Sequence, residues 1–418
     1  MSARLLNAMT SAPVARPAEG PREDVRAFDF GRNHVVYAPA SMYAGAADDT
    51  EGLARLWGRL AAVPGAPEPV RPDLGASRCA LTLVVTRRCN LRCRYCYVDR
   101  CGDDMSEATA RAAVELLDPA AETWTVNFFG GEPLLNMNAM RAAVGRVCEL
   151  RVGETQIGVT TNGTLLTPDT ARELASWGAS LIVSLDGPLD LHNETRGDSW
   201  AEAMTGLYAA AGAGLGPRTT LRATFDRAPA GLVDRLEYLN GLCDEGLAAG
   251  VAVEPATYGA DAPDPAAMAA EYRQASDWYL ARLADGRRAR FSHYETILRR
   301  LLRREPAQTE CSAGARYVAV APDGEIWPCH TLRGAPIGRL PVERGWCPSC
   351  AHNETLASRP ACLTCWARYL CGGGCPLNHT ATTCAWMRLW CSAALYIASC
   401  LSAGQAARMA RGQEARMA

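Results

Sequence analysis

The sequence has no apolar run long enough to span a bilayer, so a spanning helix is not expected. It has no excess of either charge, the formal net value being −2 over 418 residues. A strongly basic surface for nucleic acid or an anionic membrane is therefore not expected. The Ala/Pro/Arg-rich start lacks the apolar core of an export signal, and residues 1–24 read as a disordered lead, with Arg and Ser content that would also suit a transit peptide. No repeat is visible beyond clusters of cysteine. What remains is a soluble, globular composition, 48% hydrophobic and 21% charged, long enough for two or three domains.

The cysteines are abundant and unevenly placed. Of 18, five stand at Cys79, Cys89, Cys93, Cys96 and Cys101, and eleven fall from Cys311 to Cys400. Disulfide-dense scaffolds lack a core of their own, whereas this chain has apolar residues enough for one. Reduced, metal-binding thiols in a cytoplasmic protein are the better reading.

Short β-rich runs alternate with helical stretches through the middle of the chain. The runs are Leu81–Thr86, Trp124–Phe129, Gln156–Thr161, Leu181–Leu185, Thr219–Phe225 and Gly250–Val253. Between them lie helical segments at Ser106–Leu117, Met137–Val152, Pro168–Trp177 and Gly231–Glu245. Such alternation predicts parallel strands with right-handed crossovers, and six strands make a partial (β/α)6 TIM-like barrel. Ahead of it, 28–37 reads as a hairpin, about 50–62 as a helix and 64–72 as a Pro-rich linker, a small N-terminal α+β element. Residues 264–304 read as two further helices, and 403–418 as a tail.

Directly after the first strand comes Cys89-Asn-Leu-Arg-Cys93-Arg-Tyr-Cys96. Three thiolates on one loop can hold three irons of a cubane and leave the fourth open for an amine and carboxylate. The competing reading is a zinc loop with Cys101 as fourth ligand, but zinc loops pair their cysteines as CxxC. The next strands end in Phe129-Gly130-Gly131-Glu132-Pro133, Thr161-Asn162-Gly163 and Ser184-Leu185-Asp186-Gly187-Pro188. Polar residues thus gather at the carboxyl ends of parallel strands, where βα folds place their chemistry. The glycines permit close approach, and Glu132 can accept from an ammonium group.

These motifs resemble the radical SAM superfamily over about residues 80–256. The resemblance implies that Cys89, Cys93 and Cys96 hold a [4Fe–4S] cluster and that Tyr95 lies near the adenine of S-adenosylmethionine (SAM). Gly130, Gly131 and Glu132 would meet its amino group. Asn162, Ser184, Asp186 and Arg196, with Arg222 beside them, are candidates for its ribose and carboxylate. It further implies reductive cleavage of SAM to an adenosyl radical that takes hydrogen from an unactivated C–H.

The C-terminal thiols run Cys311, Gly324, Cys329, Cys362-x2-Cys365-x5-Cys371-x3-Cys375 and Cys391, more than a zinc ribbon uses. They resemble the SPASM extension of radical SAM peptide-modifying enzymes over about 311–400. By that resemblance Cys362, Cys365, Cys371 and Cys391 ligate one auxiliary [4Fe–4S] cluster, and Cys311, Cys329 and Cys375 another. The fourth ligand of the latter is Cys347 or Cys350, or the iron is open to substrate. Cys384 is ambiguous; Cys79, Cys148, Cys243 and Cys400 read as core or surface thiols. Trp386, Trp390 and Tyr396 read as core, His34 and His192 as turn or surface residues.

The expected organisation is a possible leader-peptide-binding (RRE-like) element at 25–75, a radical SAM core at 78–305 and a SPASM domain at 306–402. The expected substrate is a ribosomal precursor peptide, oxidised to a thioether, C–C or C–O cross-link, with flavodoxin or ferredoxin as electron donor. Alternatives are formylglycine formation on a sulfatase, which the His330 standing where that family has an Asp argues against, oxidation of a small molecule, and a non-catalytic zinc or iron–sulfur electron carrier.

Overall fold

The computed structural model describes residues 26–30, 34–39, 42–47, 55, 78–100, 102–150, 153–256, 263–307, 309–314, 316–342, 356–402, 404–406 and 409. The expected lead and Pro-rich linker, and thiols Cys101, Cys347 and Cys350, lie outside them. So does the expected helix near 50–62, Arg55 excepted.

Strands β1 (Arg26–Asp29), β2 (His34–Ala38) and β3 (Tyr43–Ala47) form an antiparallel sheet of their own, with the hairpin where the sequence places it. Its aromatic face is anchored on the cysteine-rich region. Phe28 meets Trp366 edge-on at 4.9 Å, Phe30 meets Tyr396 at 5.3 Å, and Arg273 donates to the Phe30 carbonyl at 3.3 Å.

The main sheet contains β4 (Arg78–Thr86), β5 (Thr123–Gly130), β6 (Glu154–Thr161), β7 (Ser180–Ser184), β8 (Thr219–Phe225) and β9 (Gly250–Pro255), parallel and in chain order. These are the six expected strands. Alternation along each one sorts its side chains. In β8, Thr219, Leu221, Ala223 and Phe225 are buried, while Arg222 and Thr224 face the other way, towards a cavity. The apolar set packs under the connecting helices α1 (Glu107–Val114), α2 (Met137–Leu150), α3 (Pro168–Ser176), α4 (Leu189–Arg196), α5 (Trp200–Gly212) and α6 (Leu232–Asp244). Each fully buried Leu, Val or Phe contributes about 1.5–3 kcal/mol. Ser106 and Thr167 cap α1 and α3 by accepting from Thr109 and Thr170 amides.

Helices α7 (Ala269–Ala284) and α8 (Ser292–Arg303) follow the last barrel strand. The cysteine-rich region then continues the sheet. β10 (Tyr317–Val320) pairs parallel with β4, and β11 (Glu325–Trp327) and β12 (Gly338–Arg339) add antiparallel beyond it. Two single-turn helices, α9 (Pro360–Leu363) and α10 (Arg368–Cys371), lead to α11 (Ala381–Cys400), which packs on α7 and α8. Trp386 and Tyr396 are buried there, as expected of core residues. No helix among the described residues is long and apolar enough to cross a membrane.

Candidate functional site

A cavity of about 630 Å³ lies at the carboxyl ends of the parallel strands. One wall is the loop that follows β4, which carries Cys89, Cys93 and Cys96. That loop is tied at several points. Arg94 donates to Asp226 at 2.6 Å, its amide bonds Thr195 O at 2.8 Å, and Asn162 Nδ2 bonds Asn90 Oδ1 at 2.9 Å. The next wall is Gly130-Gly131. Gly131 N–H donates to Thr86 O and Glu132 N–H to Arg88 O, both at 2.9 Å. Gly130 sits at φ +150°, and a Cβ on Gly131 would overlap the Arg88 carbonyl, so this close approach requires glycine.

Tyr95, Gly130, Gly131, Asn162, Ser184, Arg196 and Arg222 all reach the cavity, from loop and strand ends far apart in sequence. Two of the expected contact residues stand behind its wall. Glu132 is fully buried and spends its carboxylate on its own chain, accepting from Thr161 Oγ1 and Asn162 N at 2.7 Å and Leu134 N at 3.2 Å. Burial pushes its pKa up to about 7 against the pull of those three donors. These bonds brace the end of β5 against β6. Asp186, also fully buried, accepts from Tyr95 and Thr195 hydroxyls at 2.6 and 2.7 Å and from Thr224 N at 2.8 Å, with Arg196 Nε 3.0 Å away. Burial raises this carboxyl, but Arg196 and then the hydroxyl donors hold it below the usual carboxylate range. The guanidinium of Arg196 lies 5.4 Å from the Tyr95 ring centroid and 3.9 Å from Cys93 Sγ.

His192, read from the sequence as a turn or surface residue, is instead fully buried at the back of this network. Its Nδ1 accepts from Asp186 N at 3.3 Å and its Nε2 pairs with Ser199 Oγ at 3.0 Å. A lone His beside a turn gave no periodic signal of burial; the partner Ser199, seven residues on, is the trace it leaves. His34 lies in β2.

Cys311, Cys329 and Cys375 open onto the same cavity, so the two thiol trios face one space. His330 beside them accepts or donates to Tyr317 OH at 2.6 Å and meets Phe129 edge-on at 4.6 Å. Sequence reasoning passed over Glu254 and His293, paired at 3.2 Å on the cavity wall, with His293 stacked 3.7 Å from Trp390. Glu254 occupies a lumen-facing position of β9, a signal available from strand alternation. Trp390, buried as expected, also lines the cavity.

A second, smaller cavity of about 80 Å³ is lined by Cys362, Cys365 and Cys371 as expected, together with Cys384 and His379. Cys391 is not on its wall; it lies fully buried in the core, seven residues and about two turns beyond Cys384 on α11. The structure thus brings Cys384 to the lining beside the other three thiols, while Cys391, in the core behind it, has Cys371 and Cys365 as charge neighbours. Cys79 is half-buried, Cys243 buried, and Cys148 and Cys400 exposed.

The donor chemistry of both cavities suits iron–sulfur clusters: thiols grouped on loops and on short helices or helix starts, with burial raising Cys89 and Cys93 until a metal displaces the proton. Among the described residues no three ligating groups converge tightly enough for a single ion. A cubane bonds each thiolate to a separate iron and so holds them further apart.

Comparison with known proteins follows the same lines. Residues 83–226 match the Radical SAM superfamily. The chain is 34% identical over 110 residues to the uncharacterized protein MJ0907 of Methanocaldococcus jannaschii, 26% of this chain and 38% of that one. It is 26% identical over 148 residues to the radical SAM cyclopropyl synthase TigE of Paramaledivibacter caminithermalis, 31% of each chain. These matches span well under half of the relatives' own lengths. The fold resembles anSMEcpe with bound AdoMet, with a TM-score of 0.64 and 17% identity over 80% of this chain and 98% of that one. It also resembles Streptococcus suis SuiB, with a TM-score of 0.52 and 15% identity over 85% and 95% of the two chains. The family matched over residues 83–226 is one that implies SAM and a [4Fe–4S] cluster, and the cysteine loop and glycine wall of this chain lie within that stretch.

Proposed function

We propose that the chain is a SAM-dependent, peptide-modifying oxidoreductase of a reducing, cytoplasmic compartment. The observation that carries this reading is the single cavity faced by both Cys89/Cys93/Cys96 and Cys311/Cys329/Cys375. A substrate there would lie between two cluster sites.

In this reading Cys89, Cys93 and Cys96 hold the SAM-binding cluster. Cys311, Cys329 and Cys375 hold one auxiliary cluster, with Cys347 as the expected fourth ligand. Cys362, Cys365 and Cys371 hold the other, with Cys384 replacing Cys391 as the fourth thiol. When bound, SAM and its cluster supply hydrogen-atom abstraction from an unactivated C–H. The chain's own residues orient and enclose. Gly130 and Gly131 let a ligand lie against backbone, Tyr95 and Arg196 are fixed by Asp186, and α8 and α11 cover the side that six strands leave open.

A peptide substrate is supported by the cavity's size and by the likeness of fold to anSMEcpe, solved with bound AdoMet and Cp18Cys peptide. The sheet β1–β3, docked on the cysteine-rich region, is the proposed leader-binding element, taking the peptide as an added strand. The product is a cross-link, with flavodoxin or ferredoxin as electron donor. Co-expression with candidate short precursor peptides, followed by mass spectrometry, tests the reading. Loss of two hydrogens per modification is expected; an unmodified peptide in the presence of intact clusters contradicts it.

A further inference from the structure

Helix α11 begins with a capping box. Thr380 Oγ1 accepts from Thr383 N at 3.2 Å, and Thr383 Oγ1 accepts from Thr380 N at 2.9 Å. In such a helix start the residue before the cap packs against the fourth residue after it, ordinarily as an apolar staple. Here those two positions are His379 and Cys384. The staple geometry brings His379 Nε2 to 3.4 Å from Cys384 Sγ and 3.8 Å from Cys362 Sγ, on the wall of the smaller cavity. A third bond, from Thr383 Oγ1 to Asn378 O at 2.7 Å, fixes the segment that carries the imidazole.

We propose that His379 is a positioning residue for the second auxiliary cluster, its Nε2–H donating to the thiolates of Cys384 and Cys362 and raising that cluster's reduction potential. The inference rests on the reading that these cysteines hold a cluster. The physical ground is general: a hydrogen bond to a ligating sulfur withdraws electron density and favours the reduced, more negative state. An imidazole held by a helix cap does this without being a ligand. With Nε2 committed to donation, Nδ1 is left as the acceptor.

The test compares His379→Phe and His379→Gln with the parent chain, full-length and anaerobically reconstituted. Three readouts are taken: iron per chain, the EPR spectrum of the reduced protein, and potentiometric titration. Cys384→Ser run in parallel tests the underlying reading, because it should lose the iron of one cluster whatever His379 does. His379→Phe should keep its full iron, shift one cluster's midpoint to more negative potential and alter that cluster's EPR signal. His379→Gln, which keeps an N–H, should recover most of the shift. Loss of a cluster's worth of iron in His379→Phe would make His379 a ligand and overturn the proposal. So would an unchanged potential with Cys384→Ser deficient in iron. Full iron in Cys384→Ser would instead remove Cys384 from the ligand set, and with it the reading on which the proposal rests.

Discussion

Tyr95 donates a 2.6 Å hydrogen bond to Asp186 Oδ2, joining the cysteine loop to the residues that follow β7 across 91 positions of sequence. Around that contact Arg196, Thr195 and Thr224 complete the shell of a fully buried carboxylate. The loop that carries Cys93 and Cys96 is therefore held through the same group that orients Arg196.

Removing the phenol should loosen the loop without unfolding it. Tyr95→Phe leaves Asp186 three partners and should cost about 1–2 kcal/mol of stability. Asp186→Asn leaves the buried Arg196 charge uncompensated and should cost about 3–5 kcal/mol. Thermal and denaturant unfolding check the order. SAM binding by equilibrium dialysis should weaken by about tenfold or more in both, equivalent to about 1.4 kcal/mol.

His192 predicts a pH dependence. Burial lowers its pKa to about 4 from the ordinary 6.5 of histidine, with Asp186 opposing that and Arg196 and Arg235 adding to it. The unfolded chain thus takes up a proton more readily than the folded one between those values. Its contribution to stability is whole above pH 6.5 and is lost as pH falls towards 4. His330, lowered to about 4 by burial and Arg222, acts in the same direction. His192→Asn should therefore flatten part of the fall in melting temperature between pH 7 and pH 5. An unchanged slope would contradict the buried, neutral imidazole.

The glycine wall predicts a steric result. Gly131→Ala places a methyl against the Arg88 carbonyl, one residue before Cys89, and the Arg87 and Arg88 atoms it would meet are backbone. It should cost about 1–3 kcal/mol as an overpacked site and displace the loop. Reduced iron uptake with retained far-UV circular dichroism is the expected signature.

Cys384 and Cys391 make a paired prediction. Cys384→Ser should lose about four of roughly twelve irons per chain, while Cys391→Ser keeps them. The reverse pattern would return Cys391 to the ligand set.

Much of this was legible from residue order. The six parallel strands follow from apolar runs bounded by turns, and the CxxxCxxC loop, Gly130-Gly131 and Asn162 reach one cavity because strand ends share a rim. Spacing did not distinguish Cys384 from Cys391, since the two lie on one stripe of α11 and only packing decides which meets a cavity. Nor did it reveal that β10 extends the barrel sheet beside β4, because the pairing of Tyr317 with Ala80 is a tertiary choice no local pattern encodes. Spacing also does not show that Glu132 takes bonds from three donors of its own chain, since Thr161 and Asn162 meet it only across the sheet.

The account rests most directly on the thiols of Cys89, Cys93 and Cys96. The decisive measurement is 5′-deoxyadenosine formation from SAM with dithionite, comparing the reconstituted chain with its Cys89→Ala/Cys93→Ala/Cys96→Ala variant. The parent should form the product and the variant none above background, while keeping the iron of its C-terminal thiols. A variant that forms it at the parent's rate would contradict the account.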